Sequence, residues 1–271
     1  MSIALPGLDL NQIMLLGARN RMAEHSPWHE ESNLSWNWHA SSLGDCSRAQ
    51  CLKRRGLDLD GHTEEAQAFF DLGSWWHRRW ERDCLLYEEA EPRFKVHAVE
   101  AGGRHPNINL KARMDMLFSW DGNFVVLDVK TEQSFARKHR VDDAERLGLP
   151  YAYKVQHQIQ VATGAVIAES LIPGLRIHSG RIFYINKNSL AVDQVPVPIT
   201  DTDREWVCNR VQNLEDMYAQ FEASNWKQLP PQLHGCSPDD TWKCKPRSKD
   251  DPRGMYCPSR QACMAFAGLG L

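Results

Sequence analysis

Apolar positions along the chain change period twice, and the changes divide it into elements. Ser41-Ser42-Leu43-Gly44 reads as a turn and helix start with a serine available as N-cap. A basic helix follows through Cys46, Arg48, Cys51 and Lys53-Arg54-Arg55, stopping at Gly56. From about Thr63 to Glu89, Phe69, Leu72, Trp76, Trp80 and Leu85 recur at helical spacing and predict a long helix. The period then shortens. Phe94 to Val99 alternates as a strand, Leu110 to Ser119 is strand-like, and Asp121-Gly122-Asn123 turns the chain into a hairpin. The return strand, Phe124 to Lys130, is an apolar run suited to the centre of a sheet. The charged stretch Arg137-Lys138-His139-Arg140 reads as a loop, followed by a helix from about Pro150 to Leu171. Strands at Arg181 to Asn186 and near Val192 to Val197 precede a closing helix, Asp201 to Ser224. This order predicts an α/β core. Residues 1–40 read as an N-terminal extension whose Trp28, Trp36 and Trp38 pack onto the body, residues 41–228 as the core, and residues 229–271 as a Cys-rich segment opened by Leu229-Pro230-Pro231.

Composition narrows the function classes. With 25% charged and 42% hydrophobic residues the chain has ordinary globular composition. Apolar runs such as Val161 to Ile167 fall far short of the ~20 residues of a membrane span. The N-terminus MSIALPGLDLNQ lacks the basic and apolar regions of a secretion signal. A net charge of −3 excludes binding a polyanion by bulk charge and leaves it to local patches. Asp45 to Arg55 is net +3 and Thr241 to Cys263 is net +4, so both are candidates. Eight cysteines without an export signal favour metal over disulfides. Cys84 and Cys208 sit in helical patterns and read as small buried hydrophobes. Cys236, Cys244, Cys257 and Cys263 sit in polar, turn-rich surroundings and read as metal ligands.

Two neighbouring strands carry the candidate chemistry. Asp128 and Lys130 of VVLDVKT share one face of a strand, and pairing across the hairpin brings Asp115 of KARMDMLF beside Asp128. Two carboxylates and an ammonium at the end of apolar strands are costly to bury without purpose. A divalent cation between the carboxylates offsets that cost, and the lysine can then hold or polarise a water. The bland reading is a surface Asp–Lys pair on an edge strand.

His77 in Gly73-Ser74-Trp75-Trp76-His77 precedes these strands, and Gln156, His157, Gln158 and Gln160 follow them. The ordered string G-x-x-x-H, D, D-x-K and a Gln-rich helix resembles the PD-(D/E)XK nuclease superfamily, most closely its RecB-like exonucleases, which include phage and CRISPR-adaptation enzymes. Members of that branch with an iron–sulfur cluster carry one cysteine before the core and three after it. Ser42 to Arg48 around Cys46 is similar to the first signature, and Cys244, Cys257 and Cys263 are similar to the trio. The chain departs from the family in having Asp128 where Glu is more common and Ala112 where Gly is common. No tyrosine follows Gln156, which makes Gln158 the alternative equivalent, and the long gap between Cys244 and Cys257 makes Cys236 a competing ligand.

The resemblance implies a restriction-endonuclease-like core, a central mixed sheet flanked by helices, with the N- and C-terminal segments joined by a metal cluster. It implies an Mg²⁺- or Mn²⁺-dependent deoxyribonuclease, an exonuclease, in a bacterial cytoplasm and either host- or phage-encoded. Asp115, Asp128, the main-chain carbonyl of Val129 and His77 are the implied cation ligands, with Lys130 orienting the attacking water and Gln158 assisting. Cys46, Cys244, Cys257 and Cys263 are the implied ligands of a 4Fe–4S cluster. The chain has no C-x-x-C knuckle, which favours the cube over zinc, the alternative occupant. The implied partner is DNA, as ends, single-stranded or double-stranded. The competing function is a non-catalytic DNA-binding or scaffold protein that keeps the fold and a structural metal site.

Overall fold

A computed structural model describes residues 37–57, 64–231, 257, 259, 260 and 262–264. Cys236, Cys244, Trp28, Trp36, Trp242 and Tyr256 lie outside the described residues. The fold is mixed α/β, with a central six-stranded mixed sheet between helices. A short strand, β1 (Trp38–His39), leads through a 3-10 turn (Ala40–Ser42) into helix α1 (Ser47–Arg54). The long amphipathic stripe becomes α2 (Glu64–Ala90). Strands β2 (Phe94–Arg104), β3 (Leu110–Trp120) and β4 (Asn123–Glu132) form an antiparallel meander. Helices α3 (Ser134–Arg146) and α4 (Val155–Leu171) then return the chain to β5 (Ser179–Asn186), parallel to β4. Strand β6 (Val192–Pro198) and helix α5 (Asp201–Ala223) complete the body. No helix among the described residues is long and apolar enough to cross a membrane.

Local chemistry accounts for the joints. The β3–β4 hairpin closes through Asp121 (φ 49°) and Gly122 (φ 78°), two left-handed residues that match the twist of a two-residue turn. Thr200 caps α5 in a reciprocal box with Asp203. A Cβ on Gly180 of β5 would stand 2.2 Å from Val161 of α4, so only glycine permits the helix to lie this close to the sheet.

Three cores follow from strand alternation. Trp80, Cys84 and Tyr87 of α2 pack on Met116, Phe118, Trp120, Val125, Leu127 and Val129 on one sheet face. Val161, Ala165 and Ala168 of α4 pack on Met114, Leu117, Val126, Ile182 and Tyr184 on the other. Beyond α4, the third core joins α1, α4, α5 and the buried Trp38.

Three sequence expectations are corrected. The stretch Arg137 to Arg140 lies within helix α3 and is not a loop, because Arg140 and Ala144 supply a buried face one turn apart. Helix α4 starts at Val155 rather than near Pro150, since Lys154 is extended and Tyr153 is buried in the core before it. Cys46, with extended backbone, occupies the N-cap of α1, and Ser41 and Ser42 belong to the preceding 3-10 turn.

Candidate active site

The site forms where the sheet separates. Strand β3 pairs with β2 along one edge and shares its other edge between two partners. Strand β4 takes Met116 to Trp120 of that edge, and β1 takes Leu110 and Lys111. The next pair in the β3–β4 ladder would set Asp115 opposite Asp128, but the ladder stops at Met116 and Leu127. The Asp115 carboxylate substitutes for the missing main-chain partner, and its Oδ2 accepts the Val129 amide at 2.6 Å. Val125, Leu127 and Val129 face α2 while Val126 faces α4, so alternation turns Asp128 and Lys130 toward α4. Lys130 Nζ donates to Asp128 Oδ1 at 2.8 Å. The second oxygen, Asp128 Oδ2, is buried and has no hydrogen-bond partner among the described residues.

Helix α2 supplies the other wall. His77 Nδ1 lies 3.2 Å from Asp115 Oδ1, and Glu100 of β2 joins them, with one ligand atom from each of the three within 4.8 Å of the others. The compact trio is therefore His77, Glu100 and Asp115, where the sequence singled out His77, Asp115 and Asp128. Glu100 reaches the trio because it breaks alternation. Ala98 and Ala101 pack toward α4, Val99 toward α2, and Glu100 between them has φ 48°. That carboxylate also pairs with Arg113. Alternation counted along β2 gives no hint of this kink. Glu81, one turn beyond His77 on α2, was readable from helical spacing. Burial and the charge of Asp115 push its carboxyl up to about 7, against the opposing pull of Arg113 and Arg78.

Burial and charge oppose each other throughout the site. Burial, helped by the charge of Asp115 and resisted by Lys130, pushes Asp128 up to about 6. For Asp115 burial is outweighed by the hydrogen bond and charge of His77, by Lys130 and by the Val129 amide, so it sits below the usual carboxylate range. His77 is displaced upward, since the bond to Asp115 and its charge exceed the effect of burial. The two aspartates likewise outweigh burial at Lys130 and keep it an ammonium. The resulting group can bind a hard cation through carboxylate oxygens and an imidazole, and the unpartnered Asp128 oxygen is a free acceptor for one.

Gln158 donates to Asp203 of α5 at 3.3 Å, and Gln156 bonds Ser41 and Asp45. His157, half-buried on the same helix, bonds the Tyr184 hydroxyl at 2.9 Å, and loss of solvation followed by the charge of Lys130 holds its ring well below the ordinary histidine range.

At the far corner the turn containing Cys257 and Cys263 packs on α1. Arg48 donates to Cys263 Sγ at 3.5 Å and to the Pro230 carbonyl at 2.8 Å, and Ser259 Oγ donates to the Ala49 carbonyl at 3.3 Å. Cys46 stands at the N-terminus of that helix and is buried. The arginines there, Arg48, Arg54 and Arg55, serve the fold. Arg54 pairs with Glu215 and stacks on Trp38 and Tyr218, and Arg55 stacks on Trp226.

Comparison with known proteins adds a family. A model described as the PD-(D/E)XK nuclease superfamily matches residues 41–264. Among solved structures, SSO0001 is similar at 16% identity and a TM-score of 0.49, over 88% of this chain and 89% of that one. The alkaline exonuclease LHK-Exo from Laribacter hongkongensis is similar at 12% identity and a TM-score of 0.44, over 70% of this chain and 92% of its own. Its complex with dAMP gives 14% identity and a TM-score of 0.41, over 70% and 97%. No curated protein matches the chain.

Proposed function

The chain belongs to the PD-(D/E)XK nuclease superfamily, and from that premise we propose that it is a metal-dependent DNA exonuclease with a structural 4Fe–4S cluster. The carrying observation is the buried Asp128, paired with Lys130 and set beside Asp115 where β3 and β4 part. Asp115, Asp128, the Val129 carbonyl and His77 would hold Mg²⁺ or Mn²⁺, with Glu100 close enough to join them. A cation bound there would supply Lewis-acid chemistry to the phosphate and to a water.

The protein's own groups do the rest. Asp128 holds Lys130 at 2.8 Å, so the ammonium is positioned to orient a water by hydrogen bonding and to offset charge growing on phosphoryl oxygens. The Val129 amide fixes Asp115, and His77 braces its other oxygen. Gln158 must leave Asp203 to contact substrate. Residues 41–228 form the nuclease body in this reading. Cys46, Cys257 and Cys263 would be three of the four cluster ligands, with Cys244 the fourth, a reading supported by the contacts of Cys263 and Ser259 with α1, whose N-cap is Cys46.

The test is digestion of end-labelled linear DNA, single- and double-stranded, with Mg²⁺ or Mn²⁺. The wild type should shorten the labelled strand, Lys130→Ala should slow this at least about a hundredfold, and Asp115→Asn should do the same. DNA that is bound yet stays intact with all three proteins would favour the non-catalytic reading.

A further inference from the structure

Most arginines of the described residues are committed to partners within the fold. Arg54, Arg79, Arg93, Arg113, Arg137, Arg140 and Arg204 each hold a carboxylate. Arg78 and Arg82 differ. Neither has a hydrogen bond or ion pair with a described residue, and Arg82 Nε is a buried donor with no partner. Both lie on α2, and helical geometry fixes where they point. At 100° per residue, Trp76, Trp80, Cys84 and Tyr87 face the core, and the adjoining arc carries His77 and Glu81 toward the site. The next arc carries Arg78 and Arg82 together with Trp75, an indole 51% exposed and braced edge-on by Trp76 at 5.0 Å. The two guanidinium-bearing positions are one turn apart, about 6 Å along the helix, a spacing that suits consecutive phosphates of an extended strand.

The sheet continues this surface. Lys111 and Arg113 of β3 alternate with Leu110, Ala112 and Met114, which pack toward α4, so the two cations point to the side of the sheet that α2 covers. Glu81, one turn from His77 on α2, feels the charge of both Arg113 and Arg78, so both cations lie near that end of the site.

We propose that the Trp75–Arg78–Arg82 face of α2 is the track on which one unpaired DNA strand enters the candidate active site, the arginines taking successive phosphates and Trp75 stacking on a base. Phosphates supply the directly bonded anionic partner that neither arginine has among the described residues, and an exposed indole offers a π-face to any unpaired base. The inference rests on the nuclease reading for its direction into the site, but binding tests it without cleavage.

The experiment measures fluorescence anisotropy of a labelled oligodeoxythymidylate with full-length Asp128→Asn protein, across a salt series. Arg78→Gln and Arg82→Gln should each weaken binding and reduce the slope of log affinity against log salt by about 0.7. Arg82→Lys should keep the slope, which separates lost charge from a damaged helix. Trp75→Ala should weaken binding about tenfold with the slope unchanged, and Trp75→Phe should recover most of it. Blunt duplex of the same sequence should be bound equally by Trp75→Ala and its parent. Wild-type affinity and slope in all these variants would overturn the track. If the slopes fall as stated yet the protein with native Asp128 cleaves no DNA, the track stands and the nuclease reading falls. If cleavage occurs and the variants bind unchanged, the track falls alone.

Discussion

Glu100 sits at φ 48° in the middle of a strand, a conformation that costs a residue with a Cβ on the order of 1 kcal/mol. The carboxylate it delivers to His77 and Asp115 is the return on that strain. Glu100→Gly should therefore raise stability by up to about 1 kcal/mol in urea unfolding while weakening Mn²⁺ binding in calorimetry. A variant that loses stability and keeps its metal affinity would show that the kink serves packing. Asp128 makes a second prediction, in pH. Burial raises its carboxyl to about 6, so without metal the folded chain holds this proton more tightly than the unfolded chain. Its contribution to stability is full below the ordinary carboxylate range and is lost as pH rises through about 6. Metal-free wild type should lose Tm relative to Asp128→Asn across that window, and added Mn²⁺ should raise the wild-type Tm more at pH 7 than at pH 5, because protons compete for the ligand. A Tm difference that stays flat with pH would contradict this. That Asp115, Asp128 and Lys130 come together was legible because polar residues interrupt apolar strands at fixed spacing, whereas His77 stood out only by its place in the family-like string. Glu100 was not legible, since its placement depends on a backbone kink that leaves alternation looking intact.

Helix α3 shows the same limit one level up. Its sequence, Ser134 to Arg146, is polar nearly throughout, and a pattern based on apolar residues has nothing to find. What it buries is Arg140, 1% exposed, which bonds both oxygens of Glu132, Asp193 Oδ2 and the Ala152 carbonyl, with its guanidinium 3.8 Å from the Tyr184 ring centroid. A charged side chain does the work of a core leucine here, because its partners on β4 and β6 come with it. Gly148 at φ 63° ends the helix, a stop signal the sequence did offer. Arg140→Met should cost about 3–5 kcal/mol, since Glu132 is left buried beside an apolar neighbour. Chemical denaturation of Arg140→Met and of the double variant with Glu132→Gln checks this, with the second change recovering part of the loss. Equal stability of all three proteins would mean that the network adds nothing. Helices α2, α4 and α5 and strands β2 to β6 were legible, because each buries an apolar face of the proper period.

For the whole molecule, the order of elements foretold an α/β core and the family resemblance a mixed sheet flanked by helices, but neither foretold the way β1 and β4 divide one edge of β3. Two residues of β1 are too few to carry a pattern. The corner where α1 meets the Cys257–Cys263 turn was legible only as chemistry, from cysteines in polar surroundings. Anaerobically purified chain should contain about four iron atoms, and Cys46→Ser and Cys263→Ser should each lower both the iron content and the Tm. A colourless protein with zinc alone would replace the cube by a zinc knot. The separation of the partners in that corner also governs how the protein is made. Arg48 and Cys263 are 215 residues apart, so a ribosome working at 5–20 residues per second needs roughly 10–40 s between them. Strands β2 to β4 and α2 emerge well inside that interval and can bring Asp115, Asp128 and Lys130 together before Cys263 is made. The contact between Arg48 and Cys263 is thus among the last that the emerging chain can make, long after the sheet beside α2 is complete.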